Sequence, residues 1–436
     1  MSILSITILL FGSMLFFLAL GLPVVFVLGG LATVFILLLW GPQGLALVAT
    51  KASGIMSNSV LLAVPLFILM AGILERSGVA EDMYNVMYRW TGALRGGLAA
   101  GTVGICTVIA AMSGVAATGT VTMGLIALPS MLKRKYDKRM AMGCIMAGGA
   151  LGPLIPPSVH FIVYGSISGL SVGRLFLGGV FPGLLLSILF ITYILVRCWL
   201  NPSLAPAIPL GEGGNWRQKF TALRGVILPL FLVMAVLGSI FLGLATPTEA
   251  SAVGAFGSIV CAVVHRRLDW HLLRYAAVMT MKMSGMIMWI LFAASLFAAV
   301  YQGLGAQKFA EDLLGMVPFG KWGMLIGFQV IFFILGCLMN TLSVLMITYP
   351  VFLPLIPILG FDPLWFAVLF MVNAEMGYLT PPFGTNLFFM KGIAPSGTPI
   401  EEIYRAIIPF VALQAIALVL IILFPPICTW LPSLWR

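Results

Sequence analysis

Apolar runs of about twenty residues, separated by short polar connections, repeat along nearly the whole chain. They lack the period-two alternation of barrel strands, so they predict membrane-spanning helices. The first, Ile3 to Leu20, has no basic residue before it and no polar cleavage region after it, which predicts a span and not a cleaved signal. Two runs are interrupted: "GPLIPPS" fills 152–158 and "GYLTPPF" fills 377–383. Proline removes a backbone donor and clashes with the preceding turn, so each Pro-Pro pair predicts a helix broken at membrane depth.

The two interruptions are related. An offset of 225 carries Pro156 and Pro157 onto Pro381 and Pro382, Gly152 onto Gly377, Pro129 onto Pro354 and Thr118 onto Ser343. Leu66-Phe67 and Ala80–Asp82 recur at Leu296-Phe297 and Ala310–Asp312, offset by 230, and Pro23 and Gly30 recur at Pro247 and Gly254, offset by 224. A near-constant offset over most of the chain predicts two repeats, 1–200 and 223–436, joined by a polar cytoplasmic linker at 201–222.

Of the 436 residues, 61% are hydrophobic and 8% charged, against roughly 45–50% apolar residues in a soluble domain. The chain therefore reads as an integral protein of the lipid bilayer. Its net charge of +10 sits in short connections, which is an orientation signal and predicts no nucleic-acid partner. The basic connections, Arg76 to Arg95, Lys133 to Arg139, Arg197 to Arg224 and Arg266 to Arg274, are predicted to be cytoplasmic. Those around 41–58, 166–173, 243–247 and 357–364 are nearly free of Lys and Arg and are predicted to face the other side, with the N-terminus. Six scattered cysteines have no paired spacing and predict neither a zinc site nor a disulfide framework.

The segment 95–132 has basic connections at both ends and a small, polar middle, "MSGVAATGT" (112–120). Open backbone groups at membrane depth are tolerated only against protein or a water-filled cavity, so this segment predicts a re-entrant hairpin. Counting crossings then makes the two halves inverted, and predicts a second hairpin at 322–355, entering from the opposite side with "MNTLS" (339–343) at its tip. Lys308 and Lys321 against Glu311 and Asp312 before it, and Asp362 after it, agree with that side. The fold class is an all-α integral membrane protein: an inverted repeat with two re-entrant hairpins and two Pro-broken helices. Secondary transporters build midplane sites this way. Freed carbonyls suit a hard cation such as sodium, and half-helix N-termini suit an anionic group of a substrate.

"NSVLLAVPLFILMAGIL" (59–75), "LGPLIPPS" (151–158), "ATPTEASAVGA" (245–255) and "EMGYLTPPFGTNLFFMKG" (375–392) resemble the large membrane subunit of TRAP transporters, the tripartite ATP-independent periplasmic transporters, over nearly the full length. The resemblance implies sodium-driven uptake of a small organic anion, a carboxylate or sulfonate, across a bacterial inner membrane, which makes the side predicted above for the N-terminus periplasmic. It implies a periplasmic substrate-binding protein and a small membrane subunit as partners, and an elevator movement of a transport domain against a scaffold. One departure stands out: the family's second hairpin commonly carries Asp-Pro at its tip, where this chain has Asn340 and Thr341.

Chemistry and matching positions together nominate the site residues. Ser113, Gly114 and Thr118, with Gly152, Pro156 and Ser158 of the broken segment, form the first candidate sodium site. Asn340, Thr341 and Ser343, with Thr380, Pro381 and Gly384, form the second. Pro157, His160, Pro382 and Asn386 are candidates for the substrate side, with the second break the first place to look. Against these readings, Ser and Thr hydroxyls commonly bond back within helices, Asn386 suits an interhelical hydrogen bond, and His160 suits packing. Glu375 and Glu249 are acids in apolar surroundings: the first is a candidate cation or proton site, and the second a helix N-terminal stabiliser. Lys282 is predicted about five residues inside its span.

"GMVPFGKW" (315–322) matches G-x-x-x-x-G-K, but Trp322 stands where Ser or Thr would hold magnesium and no strand precedes it, so no ATP site is expected. No catalytic constellation is present in the sequence, and no enzyme is expected. A stand-alone ion-coupled anion transporter without a soluble receptor is the alternative reading, and a membrane-embedded enzyme a more distant one.

Overall fold

Every regular element among the described residues is helical. A computed structural model describes residues 3–207, 215–305 and 320–435. Part of the linker (208–214), the charges at Lys308, Glu311 and Asp312, the Ala310–Asp312 word and most of "GMVPFGKW" lie outside the described residues.

The first half comprises α1 (Ile3–Ala19), α2 (Val24–Trp40), α3 (Ala46–Met56), α4 (Ala63–Arg76), α5 (Val79–Thr91), α6 (Gly97–Ser113), α7 (Ala116–Lys133), α8 (Lys138–Ala150), α9 (Val159–Ser168) and α10 (Val172–Leu200). The second comprises α11 (Trp216–Phe241), α12 (Pro247–Val264), α13 (Trp270–Gly303), α14 (Gly320–Leu338), α15 (Thr341–Ile358), α16 (Pro363–Tyr378), α17 (Thr385–Ile393), α18 (Ile400–Leu423) and α19 (Pro426–Ser433). Among the described residues, eight helices are long and apolar enough to cross a membrane.

Many helices start where a short polar side chain can accept from a free first-turn amide. Asp137 accepts from Met140 N (2.9 Å), Asp269 from Leu272 N (2.6 Å) and Asp362 from Leu364 N (2.8 Å). Thr246 and Glu249 form a reciprocal capping box on α12, which gives Glu249 a structural role.

Two of the segments read as connections between spans contain helices. Val79, Ala80, Met83, Tyr84 and Met87 turn one buried face of α5 inward, and α5 packs on α6 and α11. Helix α3 has no buried residue. Helix α13 begins earlier than the apolar run suggests, so Lys282 lies twelve residues beyond Trp270 and is exposed.

In a bilayer the lipid is as apolar as a leucine, so helices associate through close packing and not through hydrophobic burial. Helices α12 and α13 pack on α4, and α2 packs on α13; α6 to α10 form a second group with α14 to α19. The ends of the helical pairs are informative. Gly96 N and Asp137 N, which bracket α6–α7, donate to Ala205 O (3.2 Å) and Leu204 O (2.8 Å) just beyond the C-terminus of α10. Trp322 in the first turn of α14 and Phe361 just beyond α15 meet at 5.5 Å, and the adjoining Asp362 shares a crevice with Ser171 and Arg174 at the N-terminus of α10. The two pairs therefore open toward opposite ends of a helix about 44 Å long.

Candidate functional site

Helix α8 stops at Ala150, and residues 151–158 run without helix, entirely buried, to α9. Ser158 caps α9 by accepting from Phe161 N (3.4 Å) and donates its own hydroxyl to Pro153 O. The α6–α7 turn sits directly on this break. Gly114 has φ +61°, and a Cβ there would stand 2.5 Å from Pro157 O; a Cβ at Gly152 would stand 2.6 Å from Val115 C. Only glycine fits both positions: the first requires the left-handed region and the second leaves no room for a methyl group. The His160 ring faces the Gly114 backbone, while its Nδ1 has no partner. No hydrogen bond among the described residues reaches the carbonyls of Gly152, Leu154, Ile155, Pro156 or Pro157.

Ser113 and Thr118 point elsewhere. They line a small cavity of about 20 Å³ with Thr122 and Glu75 of α4, and Glu75 accepts from Tyr275 OH at 3.3 Å. Of the first candidate set, the structure thus brings Gly114, Gly152, Pro156 and Ser158 together, and places two hydroxyls on the neighbouring face.

The second break, 379–384, follows the same plan with different surroundings. A Cβ at Gly377 would stand 2.7 Å from Gly336 C, and Phe383 N donates to Cys337 O at 3.2 Å, so the end of α14 lies against the break. Asn340 uses its carbonyl to cap α15, accepting from Ser343 N at 2.9 Å. Thr341 and Ser343 are buried, and the Thr380 hydroxyl bonds back to Met376 O at 2.7 Å. Pro382 and Phe383 are exposed, and Pro382 O accepts from Tyr404 OH at 3.0 Å. Helix α17 starts after Gly384 without a side-chain cap, so its first amides stay open beside Thr385. Both Pro-Pro peptide bonds are cis.

Contacts between the halves join the breaks. Asn386 donates to Met146 O on α8 at 3.2 Å, and its Oδ1 has no partner. Glu375 on α16 is 1% exposed and faces the backbone of Leu154 in the first break. Neither partner was legible in the sequence, since Met146 and Leu154 are ordinary apolar residues there. Outside this cluster, a cavity of about 460 Å³ between α3, α9 and α13 is lined by Lys51, Asn58, Ser166, Ser295, Gln302 and Tyr349, among others.

The arrangement offers neutral oxygens, the single buried carboxyl of Glu375 and open helix ends, with no group of three His, Cys, Asp or Glu placed for a metal ion among the described residues. It suits reversible binding of ions. Residues 11–427 match the family model described as "Tripartite ATP-independent periplasmic transporter, DctM component". The C4-dicarboxylate TRAP transporter large permease protein DctM of Pseudomonas aeruginosa is 31% identical over 413 residues, covering 93% of each chain. The isethionate TRAP transporter permease protein DctMQ of Oleidesulfovibrio alaskensis is 31% identical over 423 residues, which are 96% of this chain and 65% of that one. In fold, the chain is similar to the crystal structure of the Alcanivorax borkumensis YdaH transporter, with a TM-score of 0.65 and 18% identity over 97% of this chain and 99% of that one.

Proposed function

The chain belongs to the DctM-component family of tripartite ATP-independent periplasmic transporters, and on that premise we propose that it carries a small organic anion inward across the inner membrane, coupled to sodium. As a family member it is a multi-pass membrane transporter and not an enzyme. The relatives named for C4-dicarboxylate and isethionate support a carboxylate or sulfonate as cargo.

One observation carries the reading: two breaks of the same plan have opposite accessibility, the first wholly buried and the second exposed at Pro382 and Phe383. A desolvated break with unbonded carbonyls favours a bare cation. Gly152, Pro156 and Ser158, with Gly114 at the tip, would hold one sodium ion; Thr341, Ser343, Thr380, Pro381 and Gly384 would hold another, and Asn340 would join them once released from its cap. The exposed break, with the uncapped start of α17, favours an anion, with Asn386 Oδ1 within the same helix turn. Pro157 and His160 would border the substrate from the other half.

In this reading the α6–α7 and α14–α15 pairs are re-entrant hairpins of an inverted repeat, the N-terminus is periplasmic, and the α6–α10 and α14–α19 group moves as an elevator against a scaffold containing α2, α4, α12 and α13. The partners are a periplasmic substrate-binding protein and a small membrane subunit. A reconstituted transporter is expected to take up anion only when a loaded binding protein is present, with carboxylates or sulfonates competing and organic cations without effect. Uptake at the same rate without any binding protein would instead favour a stand-alone transporter.

A further inference from the structure

Among the described residues, Glu375 is a carboxyl group buried in apolar surroundings. It is 1% exposed, and its carboxylate oxygens make no full hydrogen bond and face only the backbone amide of Leu154. No Lys, Arg or His is paired with it among the described residues. An isolated carboxylate out of water costs several kcal/mol even after the protein relaxes, on the order of the penalty that makes unpaired buried ions rare. Its carboxyl faces the Leu154 amide, inside the break where the carbonyls of Gly152, Leu154, Ile155, Pro156 and Pro157 accept no hydrogen bond. The offset of 225 carries Ala150 onto Glu375, so the acid has no counterpart in the other repeat and reaches across to the first break from the second half.

We propose that Glu375 supplies the negative charge of a sodium site built on the first break. The inference rests on the sodium reading given above and deepens it. Carboxylate and carbonyl oxygens are hard ligands of the kind that such a cation prefers. A cation there cancels the carboxylate's charge, so the loaded body crosses the membrane interior at low cost, while the empty body carries a bare charge and is held back. Coupling follows, because movement without sodium is penalised. The second break, with Asn340 where the family commonly has Asp, then forms a neutral site, and the two sites differ in charge.

The test is a sodium titration of the detergent-purified protein by calorimetry and by thermal shift, for wild type, Glu375→Gln and Glu375→Asp. Glu375→Gln is expected to raise the half-saturating sodium concentration at least tenfold, and Glu375→Asp to restore part of it. In wild-type protein, sodium but not potassium is expected to protect Glu375 from a hydrophobic carbodiimide, read by mass spectrometry, so the result does not depend on a variant that folds. Unchanged sodium saturation in Glu375→Gln, or no sodium protection, overturns the proposal. So does a variant whose only change is the pH profile of uptake at saturating sodium, because the group would then carry a proton. If wild type itself shows no sodium saturation, the sodium reading as a whole fails; if wild type saturates and the variant matches it, only the role of Glu375 fails.

Discussion

Gly114→Ala is expected to lower anion uptake at least tenfold, and Gly114→Val to lower it to background, in protein that still inserts and purifies as a single species. The backbone at Gly114 has φ +61°, and the added Cβ would meet Pro157 O at 2.5 Å. A non-glycine residue in the left-handed region costs about 1–2 kcal/mol, and overpacking a close contact adds roughly 1–3 kcal/mol. The obstructing atom is a backbone carbonyl and cannot rotate aside, so relief comes from separating the turn from the break. Because about 1.4 kcal/mol is tenfold in an equilibrium constant, the intact pairing becomes a minor state. Initial uptake rates in proteoliposomes, normalised to reconstituted protein, measure the effect. Gly104→Ala on the same helix is the control, since nothing lies within 4 Å of its Cβ position.

Gly377→Val is expected to remove uptake as well, with a larger loss of thermal stability than Gly114→Ala. Its Cβ would meet Gly336 C and Cα at 2.7 Å and Cys337 N at 3.0 Å, so α14 must move away from α16. That movement breaks the Phe383 N to Cys337 O hydrogen bond and loosens a ring cluster in which Phe332 lies 4.8 Å from Phe352 and 4.9 Å from Phe370. Such ring pairs contribute roughly 0.5–1.5 kcal/mol each beyond their buried area. Thermal unfolding in detergent beside the uptake assay separates the two consequences. Gly392→Ala, with open space at its Cβ position, is expected to change neither.

The helices were legible because a span is a local property: twenty apolar residues announce themselves, and Pro156-Pro157 and Pro381-Pro382 announce where two of them stop. Helix α5 was hidden because its basic residues, Arg76 before it and Arg89 within it, read as a connection, while Met83, Tyr84 and Met87 supply only one narrow buried face. The composition of the site was legible, but its pairing was not. Ser113 and Thr118 share a polar stretch with Gly114, yet their side chains face Glu75 on α4 while Gly114 faces Pro157. Which way a residue points at a helix turn depends on the backbone dihedrals of the turn, and that information is absent from residue type. Asn340 and Thr380 were nominated for their oxygens, and in this structure those oxygens bond to Ser343 N and Met376 O. Glu375 stood out as an acid in an apolar run, but its neighbour Leu154 lies more than two hundred positions away in the chain and carries no signal of its own.

Sodium is the driving ion in the proposed transport cycle. Moving one net positive charge inward is worth about 2.3 kcal/mol per 100 mV, roughly a 40-fold accumulation at about 1.4 kcal/mol per tenfold, before the sodium gradient itself contributes. The most direct measurement is therefore the initial rate of anion uptake into proteoliposomes holding the transporter and its small membrane subunit, with loaded binding protein outside, under an inward sodium gradient or an equal potassium gradient at a fixed membrane potential. Uptake should follow the sodium gradient, rise as the interior is made more negative, and fall to background when potassium replaces sodium. Equal rates in sodium and potassium would contradict it.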